Sequence, residues 1–323
     1  MNDVRNPRAE ATQLLPAHHV ARVLEPSPPA NTDPEWYADD PTDPGETDES
    51  IVTPIDGEGV SWDAVAEDQS KVATYATDHW LGKLRRLEPV PEGFETTRQA
   101  LHQIGFFAVA PKRFAETGKL GLRYTRLGFG TPFFGEDEQV RVESGNLAYQ
   151  RRDAVTMKSV ASVGEACEFL GIPYRETWFD GFHDPLAPVG PDVPLDIDPK
   201  AADAIGDWFG FTTLVLERLR RTPGAVDVAR VQLWPEHFDP AVELGSQDNG
   251  HRASYGASTG DDAHPEPYLY VAAWADIDRS DPFWNDTTFN GASISYAELL
   301  DSDDQVETAL GFLRNGHDKL TGQ

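Results

Sequence analysis

Two short segments concentrate the side chains able to do chemistry: Trp234-Pro235-Glu236-His237-Phe238-Asp239 and Asp261-Asp262-Ala263-His264-Pro265-Glu266-Pro267-Tyr268. His237 and Asp239 stand two residues apart, as do His264 and Glu266, so in extended backbone each pair points to one side. If the two segments pair as strands, two imidazoles and two carboxylates converge. That donor set suits one divalent metal ion or an acid–base centre, with Asp261 and Asp262 adding cation attraction at the rim. Arg252 is a candidate counter-charge that would neutralise the carboxylates without any metal. The rival assignment is structural: Asp239 caps a short helix from Pro240, while His264 and Glu266 tie down a proline-flanked loop.

Other motifs are weaker. Gly256-Ala257-Ser258-Thr259-Gly260 has the spacing of a nucleophile elbow, but Pro265 and Pro267 leave no room for the helix that such a turn requires. Gly128-Phe129-Gly130 and Gly121 lack phosphate-loop spacing and read as bends between strands. Cys167 belongs to an apolar helical face, and a single cysteine excludes a disulfide framework. Tyr268, Tyr270 and Trp274 alternate along one strand face; with Trp234 and Tyr255 they are candidates for the wall of an aromatic cleft, the rival assignment being ordinary sheet core.

The elements that must position these groups read as two runs of helix, strands and helix. A helix is expected from about Ser61, its apolar stripe running from Val65 to Leu87, and Thr96 with Gln99 matches a capping box for a second helix that ends before Pro111. Strands are expected over 120–126, 129–134, 139–143 and 147–151, with a hairpin turn at Ser144-Gly145-Asn146. A helix covers 163–170. Beyond a connector over 183–199 with five prolines, Asp198-Pro199 opens a long helix. Strands follow over 228–234, 253–257 and 268–274, and Ser302 with Gln305 caps a last helix ending at Gly316. The expected class is α+β, with mainly antiparallel sheets flanked by helices and suggestive of two similar halves. The expected units are an acidic disordered arm over 1–60, a half over 61–182, the connector over 183–199 and a half over 200–323 carrying the site.

The chain has 323 residues and a net charge of -28. Residues 23–70 contain 14 Asp and Glu and no Lys or Arg, and this balance argues against nucleic acid or anionic membrane as a partner. No apolar run is long enough for a membrane span, and residues 1–20 lack the apolar core of a secretion signal, so a cytoplasmic location is expected.

The Trp-Pro-x-His-Phe-Asp and Glu-Pro-Tyr-x-Tyr-Val pair resembles the signature of a family of uncharacterised bacterial proteins, a domain of unknown function. The resemblance extends from about Leu81 to Leu313 and takes in Gly128–Pro132 and Asp281-Pro282-Phe283-Trp284. It implies no activity or cofactor. The residues themselves point to a metal- or acid–base-dependent, hydrolase-like enzyme acting on a small polar substrate. The alternative is a non-catalytic module that binds a small molecule or protein through the aromatic cleft.

Overall fold

The computed structural model describes residues 51–52, 60–61 and 86–322, apart from 126–127, 133, 135–137, 152–153, 183–184, 221, 223 and 230. The disordered arm expected over 1–60 and the helix expected from Ser61 fall almost wholly outside the described residues. Where they are described, β1 (Ile51–Val52) pairs antiparallel with β2 (Val60–Ser61), so Ser61 lies in a strand. Leu87 is buried in irregular backbone, where the Gln305 side chain clamps its N–H and its carbonyl.

Helix α1 (Phe94–Ile104) buries Phe94, Leu101 and Ile104 and starts after Gly93 in left-handed backbone. Thr96 therefore sits inside the helix and caps nothing. The chain does not stop before Pro111 either. A π-helical turn over Gly105–Val109 hands on to α2 (Ala110–Thr117), and Pro111 falls in its first turn, where its missing N–H is harmless. A meander then runs through β3 (Arg123–Thr125), β4 (Gly128–Gly130), β5 (Glu138–Glu143), β6 (Asn146–Arg151) and β7 (Ala154–Lys158), each strand pairing antiparallel with the next. Gly128 and Gly130 lie within β4 and are not bends. Ser144 and Gly145 turn the β5–β6 hairpin with both φ angles positive, at 47° and 79°. β7 has mostly exposed residues and no clean alternation, which hid it from the hydropathy pattern.

Helix α3 (Val163–Leu170) has the expected bounds and ends at Gly171, and Ser162 caps its start. Helix α4 (Pro199–Arg220) begins where Asp198 Oδ1 accepts the N–H groups of Lys200 and Ala201 at 2.9 and 3.0 Å. Replacing Asp198 by Ala should cost about 1 kcal/mol, read as a lowered denaturation midpoint at unchanged slope. The second meander comprises β8 (Gln232–Trp234), β9 (Asp239–Leu244), β10 (Ala253–Ser258), β11 (Tyr268–Ala273) and β12 (Gly291–Ser295). It is followed by α5 (Tyr296–Leu300) and α6 (Gln305–Thr321). The cap of α6 is Asp304, and the helix runs past Gly316 to Gly322. Gly316 lies inside the helix as a packing residue, since an added Cβ there would stand 2.8 Å from a Val271 methyl.

The fold is thus α+β with two antiparallel five-stranded sheets, each a meander in a run of helix, strands and helix. The sheets touch at one bridge, where Leu122 and Leu233 exchange backbone hydrogen bonds of 2.8 and 2.9 Å. Helix α4 packs against β3 and β4 of the first sheet and β9 and β10 of the second. Its Trp208, Phe209, Val215 and Leu219 are fully buried there, so one core serves both halves. Among the described residues no helix is long and apolar enough to cross a membrane.

Candidate functional site

The β8–β9 connection is a four-residue turn, Pro235–Phe238, that closes on the Phe238 N–H to Trp234 carbonyl bond of 2.8 Å. Phe238 takes a φ of 56°, unusual for a bulky residue. That conformation drives its ring inward, against Phe129, Phe209 and the His102 imidazole at centroid distances of 4.9, 5.2 and 5.1 Å. His102 Nε2–H donates to the Pro235 carbonyl at 2.9 Å, which ties α1 to the turn. Burial pushes the His102 pKa down to about 4, against the opposing pull of this hydrogen bond. Most of the Trp-Pro-x-His-Phe-Asp motif is therefore a structural plug.

Asp239 opens β9 and does not cap a helix; its neighbour Pro240 pairs with Leu233 at the first positions of the strand. The register pairs Trp234 with Asp239, Ser258 with Tyr268 and Tyr268 with Ser295. Continuing the Gly256–Ala241 pairing by two residues sets Ser258 beside Asp239. Period-2 alternation then puts Trp234, Asp239, Ser258, Tyr268 and Tyr270 on the sheet face opposite Leu233, Val242 and Leu269, which join the core. Tyr270 crosses Gly256, where a Cβ would stand 2.3 Å from its ring, and donates its hydroxyl to Asp239 Oδ2 at 2.5 Å. Asp239 is only 4% exposed, and its Oδ1 is buried without a hydrogen bond. Burial raises the Asp239 pKa, outweighing the nearby His237 and the Tyr270 hydrogen bond.

At the rim, the loop after β10 folds back on itself. Asp261 Oδ1 accepts the N–H groups of Ala263 and His264, both at 2.8 Å, and its Oδ2 accepts the Tyr268 hydroxyl at 2.6 Å. His264 stacks on Tyr268 with ring centroids 4.4 Å apart. Its Nδ1 lies 3.4 Å from Asp261 and its Nε2 3.3 Å from Asp286. Asp286 is buried and accepts from the Thr288 and Ser293 hydroxyls at 2.6 and 2.7 Å. For both aspartates burial favours the neutral acid, but the donated hydrogen bonds and the His264 ring outweigh it and hold the pKa below the usual value. Arg98 on α1 donates to the Gly260 carbonyl and anchors the loop from below.

The four groups expected to converge do not share a ligand shell. Among the described residues no three His, Cys, Asp or Glu side chains are placed to hold a metal ion. Asp239 is buried against Tyr270, His237 and Glu266 are exposed, and His264 turns to Asp261 and Asp286. The i, i+2 argument fails because Phe238 is in left-handed backbone and His264 lies in a turn, so neither pair sits in regular strand. Arg252 is also elsewhere, at the far end of β10, paired with Glu243 at 2.8 Å and stacked on Trp274. The aromatic wall is narrower than expected. Tyr255 faces the core beside His317 and Trp274 is 51% exposed past the strand end, while Trp234 keeps to the Tyr270 face and the rings of His264, Tyr268, Tyr270 and Phe289 pack in series. Ser258 is followed by a turn at Gly260 and no helix, and its hydroxyl accepts the Gly260 N–H. Cys167 is buried and pushed up to about 11 by burial, as a packing residue would be. Asp286 escaped sequence reasoning, because its only local signal is a Thr two residues on whose N–H and hydroxyl it accepts. Comparison with family models, curated proteins and solved structures finds no match for the chain.

Proposed function

We propose that this is a binding protein whose second sheet presents, at its lower rim, a site for a small positively charged ligand that donates hydrogen bonds. The reading rests on one observation. The His264 ring occupies a cradle of two carboxylates, 3.4 and 3.3 Å away, over the face of Tyr268. Carboxylates and a π face on several sides favour positive charge there. His264 is part-exposed, so a ligand ammonium or guanidinium can reach the two carboxylates from solvent beside its ring. The charge balance of the chain supports a cation and disfavours nucleic acid and anionic membrane as partners. Membership in the bacterial family of the paired motifs, and a cytoplasmic location, belong to the same proposal.

Argininamide is a suitable probe. It should bind with a dissociation constant of about a millimolar or tighter and shift the His264 imidazole resonances, and Asp286→Asn should weaken it by roughly tenfold. No shift at millimolar probe, or equal affinity in the variant, would sink the reading. A second reading is an acid–base-dependent, hydrolase-like enzyme for a small polar substrate, favoured by the raised pKa of Asp239 against Tyr270. Under that reading Tyr270→Phe abolishes turnover while argininamide binding survives.

A further inference from the structure

A cavity lies in the first half of the chain, between the π turn with α2 and the segment after α3. It has a volume of about 220 Å³ and is lined by Phe107, Pro111, Phe114, Ile172, Arg175 and Trp178 among others. For scale, an engineered apolar cavity of about 150 Å³ takes up benzene. Its walls are held by edge-to-face rings: Trp178 packs on Phe106 and Phe114 with centroids 5.5 and 5.4 Å apart. Trp178 also borders a neighbouring cleft of about 380 Å³ that continues past Phe182 and Leu186.

Two features separate this cavity from a packing defect. The indole Nε1–H of Trp178 and the hydroxyl of Tyr174, which packs on Phe107, are both buried without a hydrogen-bond partner. Buried indole and phenol donors ordinarily find an acceptor, so two orphans in one aromatic cluster mark a missing one. The second feature is charge. Arg175 is the only charged residue in the lining, is exposed, and has no ion-pair partner among the described residues of a strongly acidic chain. An apolar slot, orphan donors and one free guanidinium at the lip form a complementary set.

We infer that this cavity binds a small carboxylate with an aromatic or aliphatic body. The body fills the slot beside Phe107, Phe114 and Ile172, and the carboxylate pairs with Arg175 while offering an acceptor to the Trp178 indole in the same lining. The occupant is an anion and the site lies in the first half, so it is independent of the cation cradle on the second sheet.

The test uses the full chain with phenylacetate and phenylacetamide as probes, followed through ¹⁵N-labelled tryptophan indoles. The Trp178 resonance is assigned by its loss in Trp178→Phe. Phenylacetate should shift that indole with a dissociation constant of about a millimolar or tighter. The amide should bind at least roughly tenfold more weakly, and Arg175→Gln should bring the acid down to the affinity of the amide. Arg175 is exposed, so this variant keeps the fold, which its melting temperature confirms. An indole unmoved by either probe, equal affinity for acid and amide, or an Arg175→Gln variant that still prefers the acid would each overturn the assignment.

Discussion

Phe238→Ala should destabilise the protein by about 3–5 kcal/mol, lowering the melting temperature by about 10 °C for a folded region of this size. Phe238 is 1% exposed and touches Phe129 from the first sheet, Phe209 from α4 and His102 from α1. Truncation therefore opens a cavity where three elements meet, and rigid backbone on all sides keeps it from collapsing. The φ of 56° adds a second expectation. Phe238→Gly relieves the backbone but loses the same ring, so it should be no worse than Phe238→Ala despite the usual penalty for glycine. If the Gly variant proves much less stable than the Ala variant, the left-handed conformation is not what the residue adopts in solution.

The second expected result is acid lability with a defined onset. Burial holds His102 at about 4 against an ordinary 6.5, and it also lowers His317, which is 1% exposed with both ring nitrogens unpartnered. A histidine whose folded pKa is depressed takes up its proton more readily in the unfolded chain. Stability is therefore fully present above about pH 6.5 and falls as the pH drops toward 4. The His102 shift alone corresponds to about 3 kcal/mol lost across that window, and His317 adds to it. Denaturant titrations at pH 7.5 and 4.5 check this. His317→Phe should remove part of the slope by taking one titrating ring away. A stability that is flat between these pH values would show that both rings reach water in the native state.

The parts legible in the sequence are those where one physical signal dominates. Asp198-Pro199 and Gly171 mark helix ends by local chemistry, and the structure uses them so. The alternation in 139–143 announces a strand because Val140 and Val142 join the hydrophobic core while Gln139, Arg141 and Glu143 make a buried polar face. In 268–273 Leu269 and Val271 join the core in the same way, opposite the tyrosines. The start of β9 is ambiguous in sequence because Asp-Pro is also an N-terminal helix signal, and only pairing with β8 and β10 decides the matter. The site shows the same limit. His264 and Asp261 were legible as reactive and close in sequence. Asp286, more than twenty residues away, meets them only because β12 brings Ser293 back beside Tyr270. The exchange of Glu266 for Asp286 as the neighbour of His264 is a tertiary fact that no spacing rule contains.

Helix α4 has a consequence for the order in which the chain is made. The first meander is complete at Lys158, yet Phe129 and Tyr124 meet Phe209 and Gly210 only when these arrive some fifty residues later. On a ribosome adding about 5–20 residues per second, that leaves the inner face of the first sheet uncovered for several seconds. The proline-punctuated stretch before α4 falls inside that interval, so the first half waits for the second and the two mature as one.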